Sequence, residues 1–117
     1  MTVAVLLAAG AGSRFGGAGH KLDATIGGRS VALRAITAAL DAGIGPVLVV
    51  TGAYRIALPA GATEVHNPDW ADGQMTSVRR GIDAARELGA TAVVVGLADQ
   101  PFVTADAWRA VAASTSP

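Results

Sequence analysis

Thr2-Val3-Ala4-Val5-Leu6-Leu7-Ala8-Ala9-Gly10-Ala11-Gly12-Ser13-Arg14-Phe15-Gly16-Gly17 opens the chain with an apolar run that passes directly into a glycine-rich segment. An apolar run without alternation is how a strand covered on both faces of a parallel sheet reads. Glycine directly after such a strand lets the backbone turn its amides toward a ligand, and successive amides can cradle phosphate oxygens. Five of the fifteen glycines fall between Gly10 and Gly19. Arg14 and Lys21, the single lysine of the chain, supply the positive charge such a cradle needs. The bland alternative is a surface turn with incidental charges.

Working outward, the apolar pattern recurs at Val47 to Val50 and at Ala92 to Leu97, with a weaker strand at Ala62 to His66. Between the first two strands Leu33, Ile36 and Leu40 recur at helical spacing, with Ser30 as the N-cap and Gly43 as the stop. Asn67 to Gln74 reads as a loop because proline and glycine break it. Thr76 or Ser77 then caps a helix with Val78, Ile82 and Ala85 on one face, ended by Gly89. A last helix starts near Thr104, with Trp108 and Val111 on its apolar side. Strands alternating with helices predict an α/β fold, a Rossmann-like three-layer α/β/α domain with a mostly parallel sheet, over residues 1–117 as a single domain. Ligands of such sheets bind beyond the carboxyl ends of the strands, where Gly10 to Lys21, Thr51-Gly52 and Asp99-Gln100 fall.

Composition narrows the chemistry. Nine basic and nine acidic residues cancel, so no broad field draws in nucleic acid or an anionic membrane. Cysteine is absent, which removes disulfides, thiolate nucleophiles and cysteine-ligated zinc. No apolar run approaches the roughly 20 residues of a membrane span, and the first residues lack a signal peptide's cationic start, so a cytoplasmic protein is expected. Hydrophobic residues make up 51% of the chain, and the mean hydropathy of +0.44 is high for a soluble domain. That excess predicts an apolar surface awaiting a partner or further strands.

Two familiar phosphate loops fail on spacing. The dinucleotide fingerprint needs glycine where Phe15 stands, and the P-loop needs Gly-Lys-Ser/Thr, whereas Lys21 lies between His20 and Leu22. The pattern that fits is Leu7-Ala8-Ala9-Gly10-x-Gly12-Ser13-Arg14-Phe15-Gly16 with Lys21-Leu22 downstream, then Asn67, Trp70, Gly73, Ser77 and Gly81, then Leu97-x-Asp99-Gln100-Pro101. In that order these motifs resemble the nucleotidyltransferases of the molybdenum cofactor cytidylyltransferase and guanylyltransferase family, whose fold is that of the nucleotide-diphospho-sugar transferases.

The resemblance implies that Leu7, Ala8, Ala9, Gly10, Gly12, Ser13, Arg14, Lys21, Gly73 and Ser77 surround a nucleoside triphosphate. Arg14, Lys21 and Asp99 are then the catalytic residues, and Asp99 holds magnesium. The chemistry agrees, since nucleotidyl transfer needs positive charge on the leaving pyrophosphate and a metal at the α-phosphate, with no side-chain nucleophile. An aspartate at this point can also cap a turn before proline. Ala9 in an Ala-Ala-Gly context, with Asp99-Gln100-Pro101, is similar to the cytidylyl branch and favours CTP over GTP, with molybdopterin as the acceptor the family implies. Members of the family continue through further strands that bind the acceptor and add a second acidic metal ligand, and these have no counterpart before Pro117. The chain is thus expected to be the nucleotide-binding part with the C-terminal part absent, weakly active or inactive alone. A homo-oligomer or a partner chain covering the open edge would complete it. Relatives that resemble nicotine blue oxidoreductase leave an NAD(P)H-dependent reductase as the alternative. His20 and His66 receive no role, Arg79 and Arg80 are read as a solvated face, Trp108 as core, and Trp70 is left open.

Overall fold

The computed structural model describes residues 1–8, 25–26, 29–52, 58–98 and 103–114. Four parallel strands form one sheet in the order β5-β4-β1-β6: β1 (Thr2–Ala8), β4 (Val47–Thr51), β5 (Ala62–His66) and β6 (Ala92–Leu97). A separate two-residue antiparallel pair, β2 (Thr25–Ile26) and β3 (Arg29–Ser30), precedes the first helix, α1 (Val31–Ala42). Helices α2 (Gln74–Glu87) and α3 (Ala105–Ser114) follow β5 and β6. Helices α1 and α3 cover one face and α2 the other, so the described residues form the expected three-layer α/β/α arrangement.

The continuous apolar runs are explained by this layering. On β1, Ala4, Leu6 and Ala8 join α1 and α3, while Val3, Val5 and Leu7 join α2. Both sets are buried, so neither face of β1 has a reason to be polar. Small residues set how close α1 lies: Ala32, Ala35, Ile36, Ala39 and Ala42 form its buried face. Fully burying Ile36 alone contributes on the order of 1.5–3 kcal/mol. Gly43 at φ 64 stops α1 as expected, since this left-handed conformation is costly for any residue with a Cβ. Arg109 of α3 then donates from Nε to the Ala42 carbonyl at 3.1 Å and from Nη2 to the Asp41 carbonyl at 2.9 Å. It thereby satisfies carbonyls that the end of α1 leaves without helical partners.

Three expectations need correction. Helix α2 begins at Gln74, not after Thr76 or Ser77, and its N-cap is Gly73 at φ 121 without any side-chain cap. Both hydroxyls are engaged elsewhere. The segment Trp70–Asp72, read as loop, is one turn of 3₁₀ helix. Val111 does not share the burial of Trp108; it is 49% exposed, against 5% for the tryptophan. Trp108 lies over Gly96 of β6, where an added Cβ would stand 2.8 Å from the indole. Thr104 caps α3 by accepting the Ala107 N–H at 3.1 Å. Among the described residues no helix is long and apolar enough to cross a membrane.

Candidate functional site

At the carboxyl edge of the sheet the strand ends stand in a row. Register pairs His66 with Thr51 and Thr51 with Ala8, and Ala98 donates its N–H to the Leu7 carbonyl at 3.0 Å. The chain therefore leaves β1 and β6 side by side. Leu7 is 8% exposed and Ala8 2%, their side chains belonging to opposite cores, so what they offer a ligand is backbone. Ala9, Gly10, Gly12, Ser13, Arg14 and Lys21 of the glycine loop lie outside the described residues, as does Asp99. The strand ends that precede both segments are hydrogen-bonded neighbours.

Beside this pair sits the segment from Asn67 to Ser77. Asn67 continues from β5 by donating its backbone N–H to the Thr51 carbonyl at 2.6 Å. Its side chain is completely buried. Oδ1 accepts the Asp69 N–H at 2.9 Å across Pro68, an Asx-turn. Nδ2 donates to Thr76 Oγ1 at 2.9 Å and to Ser77 Oγ at 2.8 Å. Thr76 Oγ1 in turn donates to the Gly73 carbonyl at 2.7 Å, with the Asp69 carbonyl at 3.0 Å. Gly73 and Ser77, both expected at the nucleotide, are thus held in one hydrogen-bonded unit at the start of α2, where the helix dipole favours an anion. Gly73 is exposed and Ser77 buried.

The neighbouring residues sort into structural and solvated groups. Trp70 packs partly buried beside the α2-face core. Arg80 pairs with Asp69 at 3.3 Å in solvent and Arg79 is exposed, so both lie on the solvated face expected of them. His20 lies outside the described residues. His66 is exposed, its Nδ1 3.5 Å from Thr51 Oγ1, which donates to Glu64 Oε2 at 2.7 Å. Among the described residues no three acidic or histidine side chains gather in a way that could hold a metal ion.

Two residues that the sequence reading placed at the crevice or in the second motif received no side-chain role there. Thr51 is a fully buried polar group at the end of β4. Its signal was the break from valine to threonine at the strand's carboxyl end. Asn67 stood in the motif, and its signal was asparagine before proline, which favours an Asx-turn.

The family model for the MobA-like NTP transferase domain matches residues 4–117. The chain belongs to this family. Among solved structures it is similar to a nucleotidyl transferase from Methanothermobacter thermautotroptrophicus, with 29% identity and a TM-score of 0.84. That match covers 97% of this chain and 57% of the other, so the MobA-like domain here spans little more than half the length of that protein. No curated protein is similar enough to count as a relative. The chain is thus a nucleotidyltransferase-like α/β domain, and its glycine loop, second loop and aspartate motif follow strands β1, β5 and β6 in that order.

Proposed function

We propose that the domain binds a nucleoside triphosphate, CTP in preference to GTP, at the carboxyl edge of its sheet and is the nucleotide-binding part of a cytoplasmic nucleotidyltransferase. One observation carries this reading. The strand ends that lead into the glycine loop and into Asp99 are bonded to each other through Ala98 and Leu7, next to the uncapped start of α2. Adjacent strand ends support this reading, because a phosphate cradle and a metal-holding carboxylate that act on one triphosphate have to start close together.

In this reading the backbone from Leu7 to Ser13 wraps the triphosphate, and Arg14 and Lys21 contact its phosphates. Gly73 and Ser77 border the nucleoside. Asp99 is the residue that would hold magnesium, whose contribution when bound is to neutralise charge at the α-phosphate. The transfer joins an acceptor phosphate oxygen, such as that of molybdopterin, to the α-phosphorus and breaks the bond to the leaving pyrophosphate. Arg14 and Lys21 balance the charge that builds on the leaving group. The family match and the nucleotidyl transferase neighbour support this over an NAD(P)H-dependent reductase.

Titration calorimetry with CTP and with GTP, each with magnesium, tests the proposal. Binding of CTP that Asp99→Ala weakens at least tenfold is expected. Absence of binding to both nucleotides, or an Asp99→Ala chain that binds as the parent does, would refute it.

A specific observation favours a second element, a partner polypeptide at β6. Edge strand β5 carries Thr63, Glu64 and His66, as a strand at a true edge should. Edge strand β6, Ala92-Val93-Val94-Val95-Gly96-Leu97, carries no charge, and Val95 is 42% exposed. Beside it a groove of about 150 Å³ is lined by Val103, Ala107, Trp108 and Val111. Further polypeptide over β6 would bury this apolar surface and add the acceptor-binding part, so the domain transfers weakly or not at all without it.

A further inference from the structure

The side chain of Asn67 is fully buried in the loop beside the proposed nucleotide site, and its hydrogen bonds have a fixed polarity. A backbone N–H can only donate, so the atom facing the Asp69 N–H at 2.9 Å is necessarily the carbonyl oxygen Oδ1. The amide nitrogen therefore faces Thr76 and Ser77, and both hydroxyls accept from it, at 2.9 and 2.8 Å. Thr76 spends its own proton on the carbonyls of Gly73 and Asp69. Among the described residues the Ser77 hydroxyl accepts from Asn67 and donates no hydrogen bond of its own. One asparagine thus decides which way two hydroxyls point, and through Thr76 it ties down the carbonyl of Gly73, the N-cap of α2.

We infer that Asn67 is a positioning residue of the nucleotide site, which acts through Thr76 and Ser77 to fix the first turn of α2 and leaves the Ser77 hydroxyl as a donor. The ligand group recognised there is accordingly a hydrogen-bond acceptor, an oxygen of the nucleotide. This rests on the proposed binding of a nucleoside triphosphate and adds the residue that sets the polarity of that site. The burial of Asn67 makes the arrangement decisive, because a buried amide that loses a partner keeps the desolvation cost of the lost bond. Loop 67–73 and helix α2 are therefore locked in one relative position before any ligand arrives.

Asn67→Asp is the informative variant. It is isosteric and keeps the acceptor for the Asp69 N–H, but it replaces the donating amide by an acceptor. Thr76 and Ser77 must then turn their protons toward the new carboxylate, and Thr76 releases Gly73. Binding of CTP and GTP with magnesium is measured for the parent, Asn67→Asp, Ser77→Ala and the double variant, with thermal unfolding recorded for each. Each single substitution is expected to weaken binding about tenfold, the scale of one hydrogen bond to a charged ligand. The double variant should be no weaker than the weaker single one within about twofold, because both changes act on the same donor. Losses that multiply would mean that the new negative charge repels the ligand or that the loop is loosened generally, and would overturn the inference.

A measurement without nucleotide separates this from the functional reading. In a proton–nitrogen correlation spectrum the Asn67 side-chain amide should be resolved and protected from solvent exchange in the parent chain, with protection reduced in Ser77→Ala. Fast exchange in the parent overturns the clamp whatever the chain binds. A protected amide in a chain that binds neither nucleotide would leave the clamp in place but overturn both its role in binding and the proposed function.

Discussion

Replacing Gly81 with alanine sets two opposing effects against each other at the centre of the domain. Alanine in the middle of a helix is better than glycine by about 1 kcal/mol. At this position, however, α2 lies so close to the sheet that the new Cβ would stand 2.5 Å from Val5 Cγ1 and 3.3 Å from Val50 Cγ2. Ordinary carbon–carbon contact is about 3.5–4.0 Å, so the Val5 methyl or the helix must yield by at least about 1 Å. Val5 has no room to yield, because it sits at 0% exposure on β1 with β4 and β6 paired on either side. Overpacking a close-packed site of this kind costs typically 1–3 kcal/mol, and a contact this short on a central strand belongs at the upper end. The balance is a net loss of about 1–2 kcal/mol. Urea unfolding should show it as a lower midpoint at unchanged slope. Removing the obstructing methyls in Val5→Ala should relieve part of the cost, so that the double variant loses less than the sum of the singles. If Gly81→Ala is more stable than the parent, the close approach is wrong. Moving α2 outward also displaces Gly73 and Ser77, so nucleotide binding should weaken in the same variant.

Arg109→Ala removes two hydrogen bonds to the carbonyls of Asp41 and Ala42 and one solvent-exposed pair with Asp106. The carbonyl bonds carry the effect, and denaturant unfolding should show a loss of about 1–2 kcal/mol that Arg109→Lys restores only in part. At β6, the parent chain should self-associate with rising concentration in sedimentation velocity, and Val95→Lys should keep it monomeric with an unchanged circular dichroism spectrum. A monomeric parent at all concentrations would remove the case for a second copy of the chain at this edge.

Strands β1 and β4 were legible because burial on both faces leaves an apolar run no polar position, and the exposure of β6 is invisible in the same pattern because its one exposed residue, Val95, is a valine too. The start of α2 was misread for a physical reason. Thr76 and Ser77 are good local caps by composition, but their oxygens are claimed by Asn67, nine and ten residues earlier. A helix start fixed by a partner that distant has no local signature. The antiparallel pair of β2 and β3 is two residues on each side, too short for any period to register. For the proposed site, the motif order pointed to the carboxyl edge of the sheet, whereas the division of labour within the second motif depended on contacts. Gly73 keeps its place through its own φ of 121, Ser77 through the Asn67 amide, and Gly81 through the space that α2 leaves above Val5. Three residues of one motif are thus constrained by backbone conformation, hydrogen-bond polarity and packing distance respectively. Gly73 is coupled to Asn67 as well, through the Thr76 hydroxyl that donates to its carbonyl, so changes at Val5 or Asn67 should reach the proposed nucleotide site while changes on the solvated Arg79 and Arg80 face should not.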